Sequence, residues 1–504
     1  MTVQTEKKYE QDHGFSTGDL QTAAYMFAGL AMMLNIRLSY SAAPFALLRF
    51  KLPENLFSVF VRTTSSALEL WCLPSMTIGN IMEQVYINYF RDKDAGKKDS
   101  DVSDGTKVSK WYWIVIPSII TNWLNFLTFV ILLIIYVTGG DQGHLTCYYW
   151  IMAISGFVFG INMVLVYAVD YRYLAFYMAG ENSFPMVTSL ILYFATSIFG
   201  NRRKYNSDYL VVLIDISISI AIALVASVLW TIAFWQYRAP KASRDSPNKE
   251  VTSPVLLVLV GMGLVYSIYP GIAPGMIVPF HLIDKIEMVL LILTTFPPLI
   301  FAFTTKYAPN WSPKTKFVFH SPSKMGFGGW KQYQLHVDKT YAQGECDENE
   351  PTVYGWLWHF FDILAPLQII LAVIFIYSIH YRDSNISRSI VNQPKMSTFL
   401  TIIFYMCHEI MLATGFPGLV CNNGVTWVLL PTQWVGALLM VFLAFYSIGY
   451  ITEYKRHDPS EWPTDGMTWW NSVCYWLKMA SKITNKNFKQ LFTTDLRRLT
   501  IYYK

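Results

Sequence analysis

Residues 208–235 read DYLVVLIDISISIAIALVASVLWTIAFW. Beyond the opening Asp208, a single charged side chain, Asp215, interrupts that apolar run. Coiled as a helix, the run is about 42 Å long at 1.5 Å per residue. That length crosses the ~30 Å hydrocarbon core of a bilayer, where a helix satisfies its own backbone hydrogen bonds. Working outward, the apolar runs cover residues 21–48, 55–79, 111–137, 147–168, 185–199, 208–235, 253–279, 284–305, 355–377, 397–420 and 425–450. The expected fold is an all-α polytopic membrane protein with about eleven transmembrane helices in a 6+5 arrangement. It divides into a polar N-terminal tail (1–20), a six-helix bundle (21–235), a basic linker (236–252), a five-helix bundle (253–450) and a basic amphipathic tail (451–504). Such an outline suits a transporter.

Composition agrees. Only 14% of the 504 residues are charged, against about 25% in soluble domains. A net charge of +5, scattered along the chain, excludes nucleic acid as a partner. The 32 tyrosines and 17 tryptophans suit the many span ends that need interfacial anchors. Six dispersed cysteines show no metal-ligand spacing, so neither a metal, a cofactor nor a disulfide framework is expected. No short apolar stretch with a cleavage site precedes the first run, so no removable signal peptide is expected.

Lys and Arg concentrate in alternate loops, notably 91–110, 236–252 and 306–354, which places the N-terminus in the cytosol. The plasma membrane is the expected site. An odd number of crossings then leaves residues 451–504 outside, although they carry nine basic and five acidic residues. Within them Trp470, Val473, Cys474, Leu477 and Ala480 recur at helical spacing beside Lys478 and Lys482. That pattern reads as a helix lying on a membrane surface, a type that prefers an acidic leaflet. Residues 326–329 and 344–350 read as mobile connectors, and Asn385-Ile386-Ser387 and Asn310-Trp311-Ser312 as glycosylation acceptor patterns.

Polar groups at membrane depth need a partner or a wet cavity. Asn35 and Arg37 lie in the first run, and Arg62, Ser66 and Glu69 share a face of the second. Arg37 is expected to pair with Glu69, the plain alternative being tilted spans with Arg62 snorkelling. Ser118, Asn122 and Asn125 share a face of the third run, with Thr121, Thr128 and Trp123 beside them. The fourth run adds Ser155 and Asn162, and its Gly156 and Gly160 permit a close helix crossing. Such amides either glue helices together or line a solute path. Asp215, with Ser219 on its face, is a candidate cavity carboxylate. His408 and Glu409, halfway along the tenth run, read as a proton relay or as a satisfied core pair. His359 and Asp362 sit one turn apart nearer a surface.

The seventh run contains Tyr269-Pro270-Gly271-Ile272-Ala273-Pro274-Gly275. Two prolines and two glycines there must interrupt the helix, and in lipid such interruptions mark solute sites and gates. Asp284-Lys285-Ile286-Glu287 and Thr295-Phe296-Pro297-Pro298 follow, and Gly415-Phe416-Pro417-Gly418 ends the tenth run. On the stretches Tyr269–Pro274, Asp284–Glu287 and Thr295–Pro298, and on its layout, the chain resembles the equilibrative nucleoside transporter superfamily. More particularly, it resembles the divergent Tpr-related proteins of piroplasm parasites, which are grouped with that superfamily. The resemblance implies a major-facilitator-like pair of bundles around a central cavity, which passes nucleosides or nucleobases by alternating access, in some members with protons. It places Asp284 where the family holds ribose, whereas Glu287 and Met288 stand where the family has glycine and arginine.

The expected function is therefore transport of a small polar solute, nucleoside or nucleobase by resemblance, with the bilayer and that solute as partners. The expected substrate-binding residues are Asn35, Glu69, Asn122, Trp123, Asn125, Asp215, Tyr269 and Asp284. Pro270, Gly271 and Pro274 are the expected gate, and His408 and Glu409 the proton-coupling pair. An enzyme is not expected, since no nucleophile elbow, phosphate-cradling loop or paired metal-binding histidines are present. The competing readings are a non-transporting membrane protein acting as antigen or scaffold, and a membrane-embedded transferase using His408 or the His359/Asp362 pair.

Overall fold

Apolar composition sustained over five or more turns dictates helix, and helix dominates. The computed structural model describes residues 17–34, 46, 49–52, 57–91, 110–140, 143–170, 173–199, 207–235, 252–307, 315–319, 330–335, 360–381, 383–420, 425–457 and 462–491. Among these, six helices are long and apolar enough to cross a membrane: Trp111–Val137, Leu145–Val169, Val212–Phe234, Phe360–His380, Pro394–Pro417 and Val428–Tyr454. They fall on six of the expected runs, and they make the chain a helical, multi-span integral membrane protein.

In chain order the helices are α1 (Thr17–Met32), α2 (Phe57–Val85), α3 (Ile116–Val137), α4 (Leu145–Val169), α5 (Leu174–Phe199), α6 (Ser207–Phe234) and α7 (Thr252–Ile268). After them come α8 (Phe280–Leu293), α9 (Phe296–Tyr307), α10 (Leu364–His380), α11 (Asn385–Val391), α12 (Pro394–Val420), α13 (Val425–Tyr454) and α14 (Trp469–Leu491). Between α9 and α10 a hairpin pairs β1 (Thr315–Phe319) with β2 (Trp330–Leu335), Thr315 opposite Leu335. Within this polar loop, residues 326–329 and 344–350 were expected to be connectors, and no strand was expected beside them. Its aromatic and β-branched residues, Phe317, Val318, Phe319, Trp330 and Tyr333, flank the glycines at 326–329 and favour strand pairing instead.

The chain divides into two units, 1–251 with 294–357 and 416–431, and 252–293 with 358–415 and 432–504. The first boundary falls at the basic linker, whose residues 236–251 lie outside the described residues. The two shorter stretches of the first unit depart from a simple division by sequence.

In the first unit, α4 crosses α2 at its glycines. A Cβ on Gly156 would collide with the Leu68 carbonyl oxygen, and one on Gly160 with Ser75 Oγ and the Cys72 carbonyl. The close crossing expected from Gly156 and Gly160 is therefore present, with backbone against backbone. Tyr25 of α1 gathers three other segments. Its hydroxyl donates to the Val166 carbonyl (3.0 Å) and accepts from the Asp170 amide (2.9 Å). Its ring stacks on Tyr173 at 5.3 Å and meets Trp230 edge-on at 4.9 Å. Helix α5 starts at Leu174, well before the expected 185. Glu181, Asn182 and Ser183 give that stretch a loop-like composition, yet Glu181 and Asn182 are buried by helix packing.

In the second unit α7 is the common neighbour. Val265 packs with Ile286 and Leu290 of α8 and Tyr405 of α12, Ile268 with Leu371 and Phe375 of α10. Met262 lies against Gly436 of α13. The expected seventh run does not kink and resume. It ends at Ile268, turns through residues 269–279, and α8 begins at Phe280. The eighth run likewise breaks at Thr294–Thr295, ahead of Pro297-Pro298, into α8 and α9.

Candidate functional site

The expected site residues fall into separate groups. Asn35, Arg37, His359 and the Asn310 pattern lie outside the described residues, as do residues 344–350 and the side chains of Arg62, Ser66, Asp284, Lys285 and Glu287. Glu69 is partly buried on α2, next to Leu68 at the Gly156 crossing.

The first group is the amide cluster of α3, α4 and α6. Asn162 Oδ1 accepts from Thr121 Oγ1 at 2.9 Å and from Asn122 Nδ2 at 3.3 Å. Ser227 Oγ donates to the Asn122 carbonyl at 2.9 Å, and Trp230 Nε1 to Ser118 Oγ at 3.0 Å. Asn125 Nδ2 donates to the Ala31 carbonyl of α1 at 3.3 Å. These groups are buried and bonded to neighbouring helices, so they join α1, α3, α4 and α6. Trp123 turns the other way, 38% exposed, its indole N–H donated to Thr231 Oγ1 at 3.0 Å. It bridges α3 and α6.

Asp215 stands apart. Twelve residues separate it from Ser227 on α6, about 18 Å along the axis. It is 1% exposed, and neither carboxylate oxygen meets a donor among the described residues.

In the second unit the expected gate and the expected proton pair come together. Pro270 has no N–H for the Tyr266 carbonyl one turn back, which stops α7. Pro274 has none for the Pro270 carbonyl, which takes the Gly275 amide at 2.9 Å instead. The turn is so tight that a Cβ on Gly275 would lie 2.7 Å from the Gly271 carbonyl oxygen. Gly271 faces Ile451 of α13 just as closely. At the start of the turn, the Tyr269 ring packs on Tyr405 at 4.7 Å, and Tyr405 packs on His408 at 5.6 Å.

His408 and Glu409 are both buried. His408 Nδ1 lies 2.9 Å from the Gly261 carbonyl of α7. A carbonyl only accepts, so Nδ1 carries the hydrogen and Nε2 is the acceptor nitrogen of the neutral ring. Nε2 lies 4.0 Å from Glu409 Oε1. The set is an aromatic pair leading from the interruption to an imidazole and a carboxylate.

Sequence reasoning passed over three features of this unit. Gln368 of α10 and Gln433 of α13 are fully buried, and neither amide finds a partner among the described residues. Leu367 packs with Leu257, Cys407 and Met411, and Gly436 with Met262, so both amides lie near the level of His408 along α7. A lone amide in an otherwise apolar run was the available signal. The third is His380, the last residue of α10, boxed by Tyr450 (5.9 Å), Tyr454 (5.6 Å), Trp462 (5.7 Å) and Trp476 (5.1 Å), with Nε2 hydrogen-bonded to the Tyr450 hydroxyl. Four rings from three separate segments carry no local signature.

Compared with known proteins, the chain matches no family model and no curated sequence.

Proposed function

We propose that this protein is a multi-pass carrier that moves a small polar solute across its membrane by alternating access. The observation that supports it is the junction of the α7 interruption with the buried His408–Glu409 pair through Tyr269 and Tyr405. The turn that ends α7 supplies a hinge, and a buried imidazole beside a carboxylate supplies a proton switch near that hinge. In this reading the 6+5 arrangement of crossings holds, and His408 gains its proton on Nε2 with Glu409 as counter-charge. Movement of the 269–279 segment follows through the Tyr405 contact. Nucleosides and nucleobases are the first candidates, from the resemblance at Tyr269–Pro274 and Thr295–Pro298. Gln368 and Gln433 suit the donor and acceptor edges of such a solute.

The test is uptake of radiolabelled adenosine and hypoxanthine into proteoliposomes, with and without an inward proton gradient. Saturable, gradient-stimulated uptake is expected. No saturable uptake across a panel of purines and pyrimidines removes the substrate assignment. A second reading, a non-transporting membrane protein, draws on the amide cluster of the first unit, whose members are bonded to one another and to neighbouring helices. It gains if His408→Gln and Glu409→Gln leave every transport measurement unchanged.

A further inference from the structure

Helix α14 presents three faces. Trp476, Ala480 and Ile483 are buried against α13, where Gly449 lets the Ala480 carbonyl approach and Tyr446 donates to the Leu477 carbonyl at 2.8 Å. Thr484 Oγ1 donates to the Phe445 carbonyl at 3.2 Å. The expected apolar row of this helix is thus divided. Ala480 docks, whereas Trp470, Cys474 and Leu477 form an exposed apolar stripe beside the docked face, with Phe488 at its edge against the Phe445 ring of α13 (6.2 Å). At about 100° per residue, Lys478, Lys482, Lys486 and Lys489 fall on the next stripe round, all exposed. Residues 469–491 contain no Asp or Glu, so nothing within the helix neutralises that stripe.

We propose that α14 is a binding site for acidic phospholipid headgroups. The argument joins two independent placements. The helix is held along the last turns of α13, a membrane-crossing helix, and so sits at the end of a span. There its apolar stripe lies against acyl chains while the neighbouring lysines reach the headgroups, their stems along the helix and their ammonium groups at phosphate level. Zwitterionic lipid satisfies the apolar stripe alone; Lys478, Lys482 and Lys486 at phosphate level, on a helix that carries no carboxylate, select acidic lipid. This site stands whether or not the chain carries a solute.

The experiment uses the full-length protein in nanodiscs, with a bimane label on Cys474 and the other five cysteines replaced. Quenching by acyl-brominated phosphatidylserine is compared with quenching by acyl-brominated phosphatidylcholine at the same minor mole fraction. The expected ratio is about fivefold or more in favour of the serine lipid, the preference that one lysine near an acidic surface provides. Lys→Gln at 478, 482, 486 and 489 together brings the ratio to one while phosphatidylcholine quenching persists. The K482Q/K486Q pair, which leaves the docked face untouched, gives an intermediate ratio and guards against a quadruple variant that fails to insert. A ratio of one with the lysines in place overturns the proposal, and so does an unchanged ratio in both variants.

Discussion

One oxygen of Asn162 accepts from Thr121 and Asn122 and so joins α3 to α4. Hydrogen bonds between membrane helices average about 0.6 kcal/mol, so Asn162→Ala is expected to destabilise the first unit by about 1–2 kcal/mol. Steric trapping in bicelles reads that loss, and the glue role predicts unfolding changes without a change in solute affinity. In the second unit the expectation is opposite. Glu409→Gln keeps the shape and a hydrogen-bonding oxygen but removes the counter-charge facing His408 Nε2. Uptake should persist while its stimulation by an inward proton gradient falls about tenfold or more, the scale of a proton-transfer group lost from its site. Stability should move little. The amides at 122, 125 and 162 were legible as buried polar groups, because an apolar run leaves them no other fate. Whether they glued helices or lined a path was not, since the answer depends on partners 40 or so residues distant in sequence.

At the scale of elements, the glycine crossing of α2 and α4 is sensitive to a single change. Gly156→Ala places a methyl on a backbone carbonyl that cannot rotate away, so the two helices must separate. The expected cost is about 1–3 kcal/mol, the range for overpacking a tight contact, with lower yield of folded protein. Gly263→Ala is the control, because a Cβ there meets Leu439 at an ordinary 3.6 Å, and its cost should be near zero. The six long helices and the interruption at 269–275 were legible because composition and proline chemistry act locally. The restart of α8 at Phe280, the break before Phe296 and the β1–β2 hairpin were not, because each is settled by what the segment packs or pairs against. Helix α14 was legible as a helix, but the division of its apolar row became visible only with α13 beside it.

For the whole molecule, the count and side of the crossings were the least readable quantities. The loop charges favoured one orientation and the basic tail resisted it, and no local pattern decides between them. The aromatic box of His380 supplies a constraint that the charges do not. It ties the end of α10 to the end of α13 and to α14, and Tyr454 adds a bond from its hydroxyl to the Ile379 carbonyl at 2.7 Å. Asn385 follows within a few residues and is exposed, as is Lys482 on α14. The two positions therefore share one aqueous compartment, whichever it is. In sealed cells, cysteines introduced separately as Asn385→Cys and Lys482→Cys must react with an impermeant maleimide together or be shielded together. A histidine in a ring of aromatics thereby becomes a compass: it makes the orientation of the C-terminal tail and of the 381–393 loop one unknown instead of two.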